Sequence, residues 1–271
     1  MAHPTSETGF VTLNGAPLSY EVAGEGHPLV LLHAGVADSR MWDEQFEFFA
    51  RQYRVVRYDW RGCGRSAVPA TSVAHYEELA ELLRHLKITR AHLVGLSFGG
   101  RIALDFTLAH PDMVEKLVLA AASASGGQPA PEQVQYGEAE DAALEAGDLN
   151  GATEITLRMW VDGPKRGPGE VNPAVRERVR QMQRQAYEIP FPEGFSEIGL
   201  EPPAIGRLGE IKAPTLVMVG DYDIQPKIDL ARWLATEIPG AQLVIIEGVA
   251  HMINMEKPEE FNRVMLDFLR Q

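Results

Sequence analysis

The chain holds a single cysteine, Cys63, so it cannot form an intramolecular disulfide or a paired-cysteine metal site. Cys63 sits between Gly62 and Gly64 in a polar turn with no identified base beside it, which makes it a poor nucleophile. No stretch approaches eighteen uninterrupted apolar residues, so no membrane-spanning helix is expected and no membrane partner. Basic residues are in deficit, 25 Lys and Arg against 38 Asp and Glu for a formal charge of −13, and none form a stripe that would grip a phosphate backbone. Nucleic acid is therefore excluded as a partner. The start, Met1 to Glu7, lacks a basic then apolar leader, so the expected location is cytoplasmic. No repeat or low-complexity tract is present. What is there is ordinary for a globular protein: 45% hydrophobic and 23% charged residues over 271 positions. That length suits one large α/β domain, or a core with an insertion, burying about three quarters of its unfolded surface.

Phe10 to Val22 alternates about Asn14-Gly15, a strong hairpin signal that predicts two antiparallel strands. Leu29-Val-Leu-Leu-His33 is a continuous apolar run, as expected of a strand covered on both faces; Ala34-Gly35-Val36 and a helix holding Met41, Trp42, Phe46 and Phe49 follow. Tyr53 to Tyr58 reads as the next strand, Asp59 to Ser66 as a polar turn, and Leu79, Leu82, Leu83 and Leu86 as one helix face. A further strand ends near Leu96, a helix runs from about Phe98 to His110 where Pro111 closes it, and Lys116 to Ala121 is again a strand. Such alternation predicts an α/β class, a mostly parallel sheet with helices on both faces.

From about Gly126 the rhythm changes. Residues 126–206 hold no convincing strand, only Glu- and Ala-rich helical patterns, a Gly/Pro-rich break at Asp162 to Gly169, and a helix. That helix is capped by Asn172, has Pro173 at its first position, and carries Val175, Val179, Met182 and Ala186 on one face. The segment is expected to be a helical lid over the ligand edge of a core formed by residues 1–125 and 207–271; a separate small domain is the alternative. The alternation resumes with Thr215 to Val219, then Gly220-Asp-Tyr-Asp223. A helix with Leu230, Leu234 and Ile238, the strand Gln242 to Ile246, a loop to His251, and a last helix opened by Pro258 complete the chain.

The stretch His92-Leu-Val-Gly-Leu-Ser-Phe-Gly-Gly100 combines an apolar run, Gly-x-Ser-x-Gly, and a helical start. A strand-turn-helix this tight strains the serine backbone and crowds the residues on either side, so Gly95 and Gly99 are the types that fit. It also lifts the Ser97 hydroxyl above the sheet edge and points the first helical N–H groups at whatever Ser97 attacks. The bare pattern arises easily by chance, and its context decides. A serine hydroxyl at neutral pH needs a base, and the base needs a third group to fix its tautomer. His251 follows one late strand and Asp223 the strand before it; in a parallel sheet both strand ends gather on the edge that carries Ser97. Asp221 competes with Asp223, with a surface or capping role as its other reading. The remaining histidines, His3, His27, His33, His75, His85, His92 and His110, read as structural or solvated.

Outside residues 126–206 the chain resembles the serine-type α/β-hydrolases, which have an eight-stranded, mostly parallel sheet and the chain order Ser, Asp, His. His33 to Trp42 and Arg57 to Ser66 resemble most closely the branch of 3-oxoadipate enol-lactonases and small carboxylesterases. The resemblance implies a catalytic Ser97, His251 and Asp223, an oxyanion hole made by the N–H of Gly35 or Val36 together with that of Phe98, and no cofactor or metal. The expected partner is a small-molecule ester or lactone substrate. Asp59, Arg61, Gly62 and Gly64 read as a structural turn. Dehalogenases and epoxide hydrolases of this fold carry a carboxylate in place of Ser97. Meta-cleavage C–C hydrolases usually have Asn before the serine, where Leu96 stands, so C–C hydrolysis is the alternative reaction. A ligand receptor that keeps the pocket is the alternative of another class. Met159, Trp160 and Tyr187, with Phe191 and Phe195, are candidates for an acyl pocket, and Arg158, Lys165 and Arg166 are expected to be solvated charges.

Overall fold

The computed structural model describes residues 6–271; His3 and most of the stretch Met1 to Glu7 lie outside them. Asn14 and Gly15 adopt φ of 53° and 80°, the positive pair a two-residue hairpin requires, and join β1 (Ser6–Leu13) to β2 (Ala16–Ala23) with Leu13 opposite Ala16. β2 pairs antiparallel with β4 (Arg54–Tyr58), and every later pairing in the sheet is parallel. β3 (Pro28–Leu32), β6 (Ala91–Leu96), β7 (Val114–Ala120), β9 (Thr215–Gly220) and β10 (Gln242–Ile246) complete eight strands in the order β1-β2-β4-β3-β6-β7-β9-β10. The fold is thus the mostly parallel α/β class expected. Two short strands were not expected: β5 (Ser72–Val73) pairs with β8 (Ser196–Glu197), two residues each, too short to leave a periodic signal.

Helices cover both faces. α2 (His75–His85), α3 (Phe98–Ala109) and α7 (Gln225–Glu237) bury Leu79, Leu82, Phe106 and Leu234 against one face of the sheet. α1 (Asp43–Phe49) and α9 (Pro258–Leu269), with the short α8 (Ile253–Glu256) before it, bury Phe46, Phe49, Phe261 and Met265 against the other. Between β7 and β9 lie α4 (Pro131–Glu145), α5 (Leu149–Leu157) and α6 (Pro173–Ala186). The Asn172 side chain caps α6 at the Ala174 N–H, and Val175, Val179 and Met182 join the second core, so this helical segment packs onto the same body. Among the described residues no helix is long and apolar enough to cross a membrane.

The turn after β4 is structural. The Asp59 carboxylate accepts the N–H of Ser39 and of Arg65, both at 2.9 Å. Arg61, wholly buried, pairs with Glu78 and donates to the carbonyls of Leu13, Pro17 and Ala67, locking the first hairpin to α2. Cys63 is buried there, and burial followed by the nearby Asp59 charge pushes its thiol well above its usual range, opposite to what a nucleophile needs.

Candidate active site

Ser97 lies between the fully buried β6 and the start of α3, with φ 56° and ψ −113°, a conformation disfavoured for any residue bearing a Cβ. The surroundings hold it there: its N–H donates to Ala120 O at 2.9 Å, and its carbonyl accepts from Ser123 and Arg101 at 3.0 and 3.1 Å. A Cβ on Gly95 would lie 2.3 Å from Gly99 O, the crowding anticipated from sequence. Gly99 presses elsewhere, since a Cβ there would lie 2.2 Å from Leu32 O, at the end of β3. The serine turn is therefore wedged against the strand that leads into Gly35 and Val36.

That wedge sets two backbone segments face to face. A Cβ on Gly35 would sit 3.7 Å from the Phe98 Cβ. As the first residue of α3, Phe98 has an N–H without an intrahelical acceptor, and among the described residues Gly35 and Val36 donate no backbone hydrogen bond. His33 props up this loop. Its Nδ1 lies 2.8 Å from Ala34 O and so carries the hydrogen, which leaves Nε2 to accept the Trp60 N–H at 3.3 Å; burial lowers its pKa, consistent with a neutral ring.

Asp223 and His251 are brought together from the ends of β9 and β10. Nδ1 of His251 donates to Asp223 Oδ2 at 2.7 Å, and the two side chains are 1% and 0% exposed. The other oxygen, Oδ1, accepts the Ile224 N–H at 2.8 Å, so the carboxylate is oriented from both sides. With the hydrogen on Nδ1, Nε2 presents a lone pair; it is buried and has no hydrogen-bond partner among the described residues, Ser97 Oγ included. A serine hydroxyl turns about one bond, and such contacts commonly tighten only when substrate is present. Asp221 takes the capping role: its Oδ1 accepts the Gly248 N–H, bracing the loop that delivers His251.

Of the aromatic candidates, Trp160 reaches the site, its ring 4.6 Å from that of His251. Met159 is buried at 4% exposure. Tyr187 is engaged within the helical segment, its hydroxyl 2.9 Å from Thr156 Oγ1 and donating to Glu140 Oε1 at 2.6 Å. Phe191 stacks edgewise on Phe195 and lies against Gly62. The three expected solvated cations differ among themselves. Arg166 is a buried ion-pair partner of Glu256, 9% against 5% exposed, because Glu256 also accepts the Ala250 N–H and cannot leave. Lys165 donates to Asp221 O and Arg158 pairs with Asp162.

One cation beside the site was not picked out from the sequence. Lys227, in the first turn of α7, donates to Ser123 Oγ at 2.6 Å and lies over the Trp160 ring at 5.8 Å. Its signal in the sequence was slight: a lysine at a helix start, where the macrodipole disfavours it. Among the described residues, one cluster of three possible metal ligands lies far from this chemistry, at the opposite sheet edge, where ligand atoms of His27, His92 and Glu115 are within 4.8 Å of one another.

Comparison with known proteins agrees with this architecture. The family described as "alpha/beta hydrolase fold" matches residues 27–258. Curated relatives include a 2-hydroxy-6-oxo-6-phenylhexa-2,4-dienoate hydrolase of Comamonas testosteroni, 30% identical over 94% of this chain and 91% of that protein. Another is a carboxylesterase of Bacillus subtilis, 26% identical over 89% of this chain and 79% of that one. Among solved structures, the enol-lactonase from Burkholderia xenovorans LB400 superposes with a TM-score of 0.78 at 25% identity, covering 97% of this chain and 100% of that chain.

Proposed function

The chain belongs to the alpha/beta hydrolase fold family, and we propose that it is a serine hydrolase that cleaves a small carboxylic ester or lactone through an acyl-enzyme. The observation that carries this reading is the buried His251–Asp223 pair, its Nε2 lone pair left free on the sheet edge that also carries the strained Ser97. Ser97 Oγ attacks the acyl carbon as Nε2 of His251 takes its proton, and Asp223 stabilises the resulting imidazolium. The oxyanion of the tetrahedral adduct receives the N–H of Phe98 and of Gly35 or Val36, a contribution of the order of a hundredfold in rate for each donor. His251 then protonates the departing alkoxide, and in a second round activates the water that releases the acid. The core is residues 1–125 and 207–271, and segment 126–206 acts as a lid, with Trp160 roofing His251 and Arg166 clamping Glu256. Esterase and enol-lactonase relatives support the bond class.

Fluorophosphonate labelling of the wild type, absent in Ser97→Ala, followed by an ester and lactone panel, tests the proposal; a wild type that does not label refutes it. C–C hydrolysis is a second reading, favoured by the dienoate hydrolase relative and disfavoured by Leu96 before the serine. Turnover of a coloured dienoate with none of aryl esters would select it. Labelling and ligand binding without turnover would instead select a receptor.

A further inference from the structure

The end of the sheet opposite Ser97 gathers three side chains of metal-ligand type. His27 stands just before β3, His92 is the second residue of β6, and Glu115 is the second of β7. These strands are neighbours in the order β3-β6-β7, so three residues far apart in the chain meet where the strands begin. The β6–β7 register shifts at this point: Ala91 faces Val114 and His92 faces Lys116, which leaves Glu115 as an extra residue with no partner across the ladder. An extra residue of this kind re-aims a side chain, and Glu115 Oε2 comes to lie 3.2 Å from His27 Nε2.

Close as it is, that approach is not aligned as a hydrogen bond. His27 Nε2 and His92 Nδ1 are both buried, and neither has a hydrogen-bond partner among the described residues. His92 as a whole is 5% exposed, held between the ring of His27 at 4.4 Å and that of Tyr53 at 6.1 Å. Buried ring nitrogens without partners are uncommon and costly, and here two of them share a cluster with a carboxylate. Ligand atoms of all three residues lie within 4.8 Å of one another. The 3.2 Å between His27 and Glu115 is close to the roughly 3.3 Å edge of a tetrahedron built on metal bonds of about 2.0–2.1 Å. Lys116, the neighbouring cation, is engaged elsewhere: its Nζ donates to the carbonyls of Phe268 and Leu269 at 3.1 and 2.9 Å.

We propose that His27, His92 and Glu115 form a binding site for a divalent transition-metal ion of zinc type, with water completing the coordination. Two imidazoles and one carboxylate suit zinc, whereas magnesium and calcium take oxygen ligands. The side chains of His27 and Glu115 are 37% and 38% exposed, so the ion enters from solvent there, and His92 is the buried anchor. Five residues of extended chain along β6 separate His92 from Ser97, about 17 Å. The ion therefore takes no part in the reaction. It ties the starts of β3, β6 and β7 together and stabilises the folded state by binding it alone. None of this depends on the hydrolase reading above.

The test uses the full chain without a histidine tag, freed of metal by a chelator and then titrated with zinc chloride, with magnesium and calcium chloride as controls. Calorimetry is expected to give one zinc per chain. Zinc at a hundredfold its Kd is expected to raise the melting temperature by about 5 °C, and magnesium and calcium are not. Glu115→Gln and His27→Gln alter half-exposed positions and leave the His92 anchor in place, so both are expected to fold. Each should weaken zinc binding by about a hundredfold or more and lose the thermal shift. Cobalt(II) in place of zinc should give the intense visible absorption of a four-coordinate ion in the wild type and not in Glu115→Gln. No zinc shift in the wild type overturns the site, as does an equal shift from magnesium. A shift that survives in both variants but disappears in His251→Ala overturns it too, since the zinc would then sit at the catalytic edge.

Discussion

Replacing Ser97 by glycine and by alanine separates the strain in the elbow from its chemistry. Both variants remove the hydroxyl, but alanine keeps a Cβ at φ 56°, ψ −113°, whereas glycine adopts that region freely. Holding a residue with a Cβ there costs about 1–3 kcal/mol. Glycine gives back about 0.5–1 kcal/mol through the greater entropy of its unfolded chain. It also forgoes about 0.4 kcal/mol, half the worth of a buried methyl, because the site is only partly buried. With strain near the middle of its range, relief wins by about 1 kcal/mol. For a chain of this size that is about 2–4 °C in melting temperature, so Ser97→Gly is expected to melt above Ser97→Ala by that margin in matched thermal and urea unfolding. Neither should label with a fluorophosphonate. A glycine variant that melts below the alanine variant would show that Ala120, Ser123 and Arg101 do not hold a strained residue.

Asp223→Asn is expected to lower kcat by about 10⁴-fold, because an amide no longer holds the His251 tautomer. Asp221→Asn should change kcat by less than tenfold, so steady-state kinetics on one ester distinguish the two acids. Arg166→Met leaves the Glu256 carboxylate buried and unpaired, and should cost about 3–5 kcal/mol in urea unfolding; the double variant with Glu256→Met should recover most of that, and no recovery would refute the pairing. His92 is buried, and desolvation first, then His27, lowers its pKa to about 4 from an ordinary 6.5. Its folded pKa is below its unfolded one, so its neutral form supports the fold fully above about pH 6.5. That support is lost as pH falls from there through 4. His92→Gln should therefore lose less melting temperature than the wild type between pH 7 and 4.5; equal losses would refute the buried neutral ring.

Much of the fold was legible in one dimension because burial and turn chemistry leave periodic traces. The Asn14-Gly15 hairpin, the apolar runs of β3, β6 and β9, and the Asn172-Pro173 helix start were all readable, since each rests on residues adjacent in sequence. The paired β5 and β8, whose members are 124 residues apart at Ser72 and Ser196, left no such trace. Arg166 read as a solvated charge because a lone arginine in a Gly/Pro-rich stretch shows nothing of a glutamate ninety positions later. Lys227 went unnoticed for the same reason: its significance lies in what surrounds it.

By itself, then, the sequence determined the α/β alternation, the serine turn, and the order in which Ser97, Asp223 and His251 arrive, because strand ends in a parallel sheet share one edge. Only the tertiary structure decided that Gly99 wedges the elbow against β3, that Asp221 braces a loop while Asp223 meets the histidine, and that Tyr187 faces inward among helices as Trp160 covers His251. It alone decided, too, that His27, His92 and Glu115 meet at one end of the sheet. Those are relations between residues far apart in the chain, set by how the layers pack, and the energy of a buried charge depends on neighbours that no local pattern records.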